Sequence, residues 1–479
     1  MTRTAAHAIS LGLVQASQGV AVALRGSSVP LPVSARNARL VEGRSTLLRA
    51  FVQPDPGRNA DPVIAVLTLS YADGTTQLKE RQLTPLAASD PEILESTFNF
   101  LLAASEVKAG MHVSVALQQA ESAAAPPSPA SSATRFPEQG DVDLGIAAGP
   151  MEVTVVFVPA QTQGGAPMST DERRQRIITR VMDLYPIQKM NVTWHAPQPL
   201  NNAADRTQAY AMLRDLCYRD HATPNVLYHL ILRQTDSGFA FRGISVGQNR
   251  ADLPCSAVGI TVVADEPGSK VAYVDGVPGE TSGNPDTTAH ELAHNHNLRH
   301  IACGGPADPD PAFPYPNGFL GVQGYSLSEG ALKSTKEYRD LMGYCSPRWV
   351  SDWTWNRLES EVRLRMAWGA VAMPRRVNDA VGPNEAPRTL SGYVDGQHAS
   401  FALVPASNVD ATGVLTATRY ARVSSTSGDV LLPLSVAESA DPDLAEVRVR
   451  LPTGPLPARV DVVFAGVSHT VELAKIPSY

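Results

Sequence analysis

His290-Glu291-Leu292-Ala293-His294-Asn295-His296-Asn297-Leu298-Arg299-His300 gathers four of the chain's eleven histidines into one short stretch. On a helix, residues four apart are offset by only about 40°, so His290 and His294 face the same way and can share one tetrahedral ion. Glu291 stands beside them, placed to act on water at that ion without being a ligand itself. This spacing predicts metal-assisted hydrolysis. A packed core stripe is the other reading of two histidines on one helix face, and Glu291 counts against it because carboxylates are rarely buried unpaired. His296 lies about 240° round the helix from His290 and is expected to be solvated or to stand behind the ligands.

A continuous helix cannot return His300 to the face of His290 and His294, since ten residues of helix span about 15 Å. The chain must turn sharply after His294 for His300 to reach the same ion. Asn297 is suited to that turn, because a short polar side chain makes asparagine the commonest non-glycine residue in the left-handed region. Further along the chain comes Asp340-Leu341-Met342-Gly343-Tyr344-Cys345.

Together the HExxHxxNxxH spacing and Met342-Gly343-Tyr344 resemble the metzincin clan of zinc metalloproteases, its secreted bacterial members in particular, with asparagine where the clan usually has glycine. The resemblance implies zinc as cofactor, His290, His294 and His300 as its ligands and Glu291 as general base. It implies that Met342 forms a tight turn beneath the histidines. Tyr344, as in the astacin and serralysin branches, would reach the zinc and steady the oxyanion, and Trp349 falls where a wall of the S1′ pocket is expected. Each of these three has a competing reading: core filler for Met342, a buried phenol for Tyr344, core packing for Trp349. The implied function is a zinc metalloendopeptidase acting on protein or peptide substrates, glycoproteins included. A zinc amidase cleaving a non-protein amide would use the same ligands and base. A surface-binding protein with a vestigial zinc site would need the ligands but not Glu291.

Composition sets the frame for this site. With 479 residues, 43% hydrophobic and 18% charged, the chain is long enough for two to four domains with cores of their own. A net charge of −7 without a basic block argues against nucleic acid or an anionic membrane as main partner. No uninterrupted apolar run approaches the roughly 18 residues that span a bilayer. Near the N-terminus a modestly apolar stretch is broken by His7, Ser10, Gln15 and Ser17, which does not make a signal peptide. The four cysteines, Cys217, Cys255, Cys303 and Cys345, allow three pairings. Cys303 just past the last ligand and Cys345 just past the Met-turn suggest one bridge, leaving Cys217 with Cys255. Disulfides imply a secreted, cell-surface or periplasmic protein, and buried thiols a cytosolic one.

Hydrophobic patterning divides the chain into an α/β metzincin-like catalytic domain over 151–370, flanked by β-sandwiches over 1–120 and 371–479. Short alternating runs such as Ser45 to Val52 and Val63 to Tyr71, separated by turns such as Ala72-Asp73-Gly74, predict the first sandwich. Residues 121–150 are rich in Ala, Pro and Ser and predict a linker. From Met151 strands and helices alternate. Val153 to Val158 is a buried strand, Ser169-Thr170-Asp171-Glu172 opens a helix, and Asn284-Pro285-Asp286 starts the histidine helix. A strand near Val258 to Ala264 is expected at the sheet edge, where an extended substrate could pair with it. Ser351 caps a helix burying Trp355, Leu358, Val362 and Met366. The long loop between His300 and Asp340 carries aromatics suited to a groove or to packing under the loop. Runs such as Ala445 to Leu451 and Arg459 to Phe464 predict the second sandwich.

Overall fold

The computed structural model describes residues 3–26, 29–120, 134–167, 171–203, 205–233, 243–246, 255, 258–263, 285–369, 388–396, 398–406, 413–425, 428–438 and 444–479. The chain forms two compact units. One comprises 1–151, 182–189 and 312–359, the other 152–181, 190–311 and 360–479.

The first unit is built on two antiparallel sheets. In one, the strands run in the order Arg3–Ala5, His112–Ala120, Val63–Ser70, Thr76–Leu83; in the other, Ala21–Ala23, Ile9–Ser17, Thr46–Pro54, Phe98–Leu102. Val63, Ala65, Leu67 and Leu69 are fully buried and alternate with half-buried residues, so period-two patterning turns one face inward. Phe98, Phe100 and Leu102 do the same in the other sheet. The turn at Ala72-Asp73-Gly74 works as its sequence suggests. Gly74 takes φ 81°, and the Asp73 carboxylate accepts from the Thr75 amide at 2.9 Å.

Two expectations change here. The stretch 121–150 is not all linker: Arg135–Phe136 and Val142–Asp143 pair with His112–Ala120, and Ile146–Ala147 runs parallel to Leu40–Val41. Its Ala/Pro/Ser-rich part, 121–133, lies outside the described residues. The segment 312–359 belongs to the first unit rather than to a continuous catalytic domain. Long-range backbone pairing explains it. The Ala21 amide donates to the Gln323 carbonyl at 2.9 Å, and the Tyr325 amide to the Gly19 carbonyl at 3.0 Å. Part of the long loop is therefore folded, as a hairpin of Gly324–Ser326 and Ala331–Lys333. Its aromatics pack: Phe313 and Tyr315 meet edge to face, and the Tyr315 hydroxyl donates to Asp352 at 2.7 Å.

The second unit carries a mixed sheet in the order Lys189–Trp194, Glu152–Gln161, Val226–Arg233, Val258–Val263, Gly243–Val246. Its central strands are parallel, and Gly243–Val246 joins antiparallel. This corrects the edge expected near Val258 to Ala264: Val258–Val263 is paired on both sides, and among the described strands the four-residue Gly243–Val246 is the outer one. Helix Arg206–Arg219 starts at Asp205, whose side chain accepts from the Thr207 and Gln208 amides, and it buries Tyr210, Leu213 and Cys217 with Leu230 and Ile260 of the sheet. Cys217 and Cys255 are bonded across a separation of 38 residues, a closure worth about 4 kcal/mol in the chain-entropy account. No described cysteine is free, and Cys303 and Cys345 are disulfide-bonded as well.

The expected C-terminal sandwich is present. Sheets ordered His398–Pro405, Arg388–Asp395, Leu444–Arg450, Ser435–Glu438 and Gly428–Leu432, Arg419–Ser425, Arg459–Phe464, Val467–Glu472 enclose one core, with Leu390, Val447 and Val449 meeting Val423, Val460 and Val462. It is not a separate compact unit. Tyr393 and Leu444 enter the core of helix Arg206–Arg219, and Arg206 forms a bidentate pair with Asp395 at 2.7 Å to each oxygen. Asn284 and the Ser169-Thr170 cap lie outside the described residues, while their helices, Pro285–Asn295 and Asp171–Leu184, form as expected. No described helix is long and apolar enough to cross a membrane.

Candidate metal centre

Helix Pro285–Asn295 carries the first two histidines. Pro285 suits the first turn, where an amide would lack an intrahelical partner, and Asp286 favours the positive end of the helix dipole. Asp286 also pairs with Arg180 of helix Asp171–Leu184. The helix is fastened to the sheet by its polar residues: Asn295 Nδ2 donates to the Val258 carbonyl at 3.0 Å, and Thr288 Oγ1 to Thr261 Oγ1 at 3.3 Å.

The helix ends at Asn295, and the chain turns at Asn297. Its φ is 61°, the left-handed value expected for this asparagine. The Leu298 amide donates to the Ala293 carbonyl at 3.1 Å and the Asn297 amide to the His294 carbonyl at 2.8 Å, the paired bonds of a Schellman ending. This reverses the chain and brings His300 back. The Asn297 side chain does more than tolerate the turn: its Nδ2 donates to Glu361 Oε2 at 3.1 Å. Glycine fits φ 61° at no steric cost, and an exposed bond of this kind contributes about 1 kcal/mol at most. Asn297→Gly is therefore expected to keep metal content and to lose about 1 kcal/mol or less. Asn297→Val, β-branched at a positive φ, should lose more. Denaturant titration with metal analysis checks both, and a metal-free glycine variant would make the Glu361 contact essential.

Three imidazoles converge. His294 Nε2 lies 3.0 Å from His290 Nε2 and 3.0 Å from His300 Nε2, and the three ligand atoms fall within 4.8 Å of one another. Three nitrogens on a tetrahedral ion at about 2.05 Å stand about 3.3 Å apart, so the donor set fits a metal with small adjustment. The rings of His290 and His300 each stand nearly perpendicular to that of His294, at 84° and 89°, which lets the nitrogens meet without the rings stacking. His294 Nδ1 donates to the Leu298 carbonyl at 2.7 Å, fixing the tautomer that leaves Nε2 with its lone pair. Burial above all, then neighbouring His300, pushes the His294 pKa down to about 3, so the ring is neutral near pH 7, the form that ligates. Among the described residues this group can hold a metal ion.

Glu291 lies on the same helix, buried, with Oε2 accepting from Ser245 Oγ at 2.9 Å. His296 does not join the triad. It is buried rather than solvated, and its Nδ1 donates to the Leu292 carbonyl at 2.7 Å. Burial, and then Arg365, holds its pKa well below the usual histidine value. His229, on the central strand, is also buried and neutral, its pKa pushed to about 3 by burial, and its Nε2 lies 2.7 Å from Thr261 Oγ1.

The remaining candidates belong to the first unit. Met342 is fully buried, and its amide donates to Asp340 Oδ1 at 2.8 Å while the Gly343 amide donates to the Asp340 carbonyl at 3.0 Å, closing a tight turn. Asp340 Oδ2 also accepts from the Ser351 amide at 3.0 Å. Tyr344 is 47% exposed, so the buried-phenol reading does not describe it. Trp349 is fully buried, its indole nitrogen donating to the Gly19 carbonyl at 2.8 Å and Lys333 Nζ lying over its ring; core packing accounts for that placement. Sequence reasoning missed Ser245. A four-residue strand offers too little periodicity to announce itself, and the serine gains its partner only when strand and helix pack.

No family model matches the chain, and no curated protein matches it. A solved structure of a calcium-binding mutant of Bacteroides uniformis beta-glucuronidase 2 is similar over 48% of this chain at 11% identity, with a TM-score of 0.11. The match takes in 28% of that chain's length.

Proposed function

We propose that the protein is a zinc-dependent endopeptidase of metzincin type. The observation that carries the reading is the meeting of the imidazole nitrogens of His290, His294 and His300, with the buried Glu291 next to His290 on the helix. His290, His294 and His300 would hold the ion. Zinc bound there supplies a Lewis acid that stabilises developing negative charge and lowers the pKa of a water to about 7. Glu291 takes the proton of the attacking water and delivers it to the leaving amine. Tyr344 is the proposed donor to the oxyanion. Strand Gly243–Val246, at the edge of the described sheet, offers main-chain groups to an extended peptide. Disulfides suit secretion or the cell surface.

Purified protein should contain about one zinc per chain and should cleave unfolded casein. A zinc chelator should abolish that cleavage, and added zinc should restore it. Zinc-loaded protein that leaves casein intact but cleaves a non-protein amide would replace the peptidase reading with an amidase.

A further inference from the structure

Ser245 faces the proposed general base from the strand Gly243–Val246. Its Oγ lies 2.9 Å from Glu291 Oε2 and 2.8 Å from the Glu291 carbonyl oxygen, with both residues 4% exposed. A hydroxyl has one proton to give, and a carboxylate takes it more strongly than an amide carbonyl does. The seat of Ser245 is shaped by its strand partner Gly259. A Cβ on Gly259 would stand 2.9 Å from Ser245 Oγ, 2.9 Å from Asn295 Oδ1 and 2.7 Å from His229 Nδ1. Glycine is needed there for space.

We infer that Ser245 is a positioning residue for Glu291, and that Gly259 keeps the place in which it does so. Donation to Oε2 anchors one oxygen of the carboxylate. A glutamate in this position has three side-chain torsions to restrain, and a base displaced by about 1 Å loses much of its rate. The kinetic consequence rests on the peptidase reading; the hydrogen bond does not.

Ser245→Ala should lower kcat on a casein-derived peptide about tenfold, the lower end of losses seen for outer-shell partners. KM and zinc affinity, the latter read by chelator competition, should stay within about twofold, and Ser245→Thr, which keeps the hydroxyl, should recover kcat to within about threefold. Gly259→Ala should reproduce the kcat loss with the hydroxyl still in the chain. A structural role would move zinc affinity and kcat together and overturns the proposal, as does an unchanged kcat in Ser245→Ala. The bond is also read in metal-stripped protein by amide hydrogen exchange over Gly243–Val246 and Pro285–Asn295. There Ser245→Ala should speed exchange about fivefold with Glu291 present and clearly less in the Glu291→Ala background. A parent that cleaves no protein removes the peptidase reading and leaves this coupling to be judged by itself; equal acceleration in both backgrounds overturns it.

Discussion

Glu291→Ala is expected to keep its zinc and its fold while losing at least about 10²-fold in cleavage rate, the lower range for general acid–base catalysis. The carboxylate is not part of the group that converges on the metal position, so its removal leaves His290, His294 and His300 where they are. Ser245 is not stranded, because the Glu291 carbonyl oxygen at 2.8 Å remains as an acceptor. What disappears is the proposed proton acceptor. Glu291→Gln, close in shape and unable to take a proton at neutral pH, should lose a similar factor. Metal analysis, thermal unfolding and initial rates on one set of preparations decide it, and an active alanine variant would refute Glu291 as base.

His300→Ala should lower zinc affinity nearly as much as His294→Ala, by more than about 100-fold, which exceeds the 10–100-fold typical of losing an outer-shell partner. Both bring an Nε2 into the same three-histidine group, and those two nitrogens lie 3.0 Å apart. A carboxylate third ligand is the competing arrangement. Glu329 pairs with Lys333, and neither it nor Glu337 joins the described metal-competent group. Chelator competition on His294→Ala, His300→Ala, Glu329→Ala and Glu337→Ala separates the two. Zinc binding that survives loss of His300 and fails with either glutamate would end the three-histidine assignment.

Much of the candidate site was legible because its logic is local. The four-residue spacing of His290 and His294 is a property of any helix, and the need for a left-handed residue before His300 singles out Asn297, which takes φ 61°. The apolar run Val153 to Val158 likewise announces a strand because it is buried on nearly every position. Trp349 was legible only as a large aromatic after the Met-turn, and its indole donates to the carbonyl of Gly19, far away in sequence. The angle of His296 on the helix left it either solvated or standing behind the ligands, and its burial excludes the first.

The sequence by itself determined the β-sandwich ends, the alternating middle, the helix bearing His290, Glu291 and His294, and the turn that returns His300. Each follows from periodicity or backbone preference over a few residues, where neighbours along the chain supply the constraint. Tertiary structure alone decided that 312–359 joins the N-terminal unit, that Gly243–Val246 rather than Val258–Val263 is outermost among the described strands, and that Ser245 meets Glu291. These depend on hydrogen bonds between residues tens to hundreds of positions apart, whose partners no local pattern can specify.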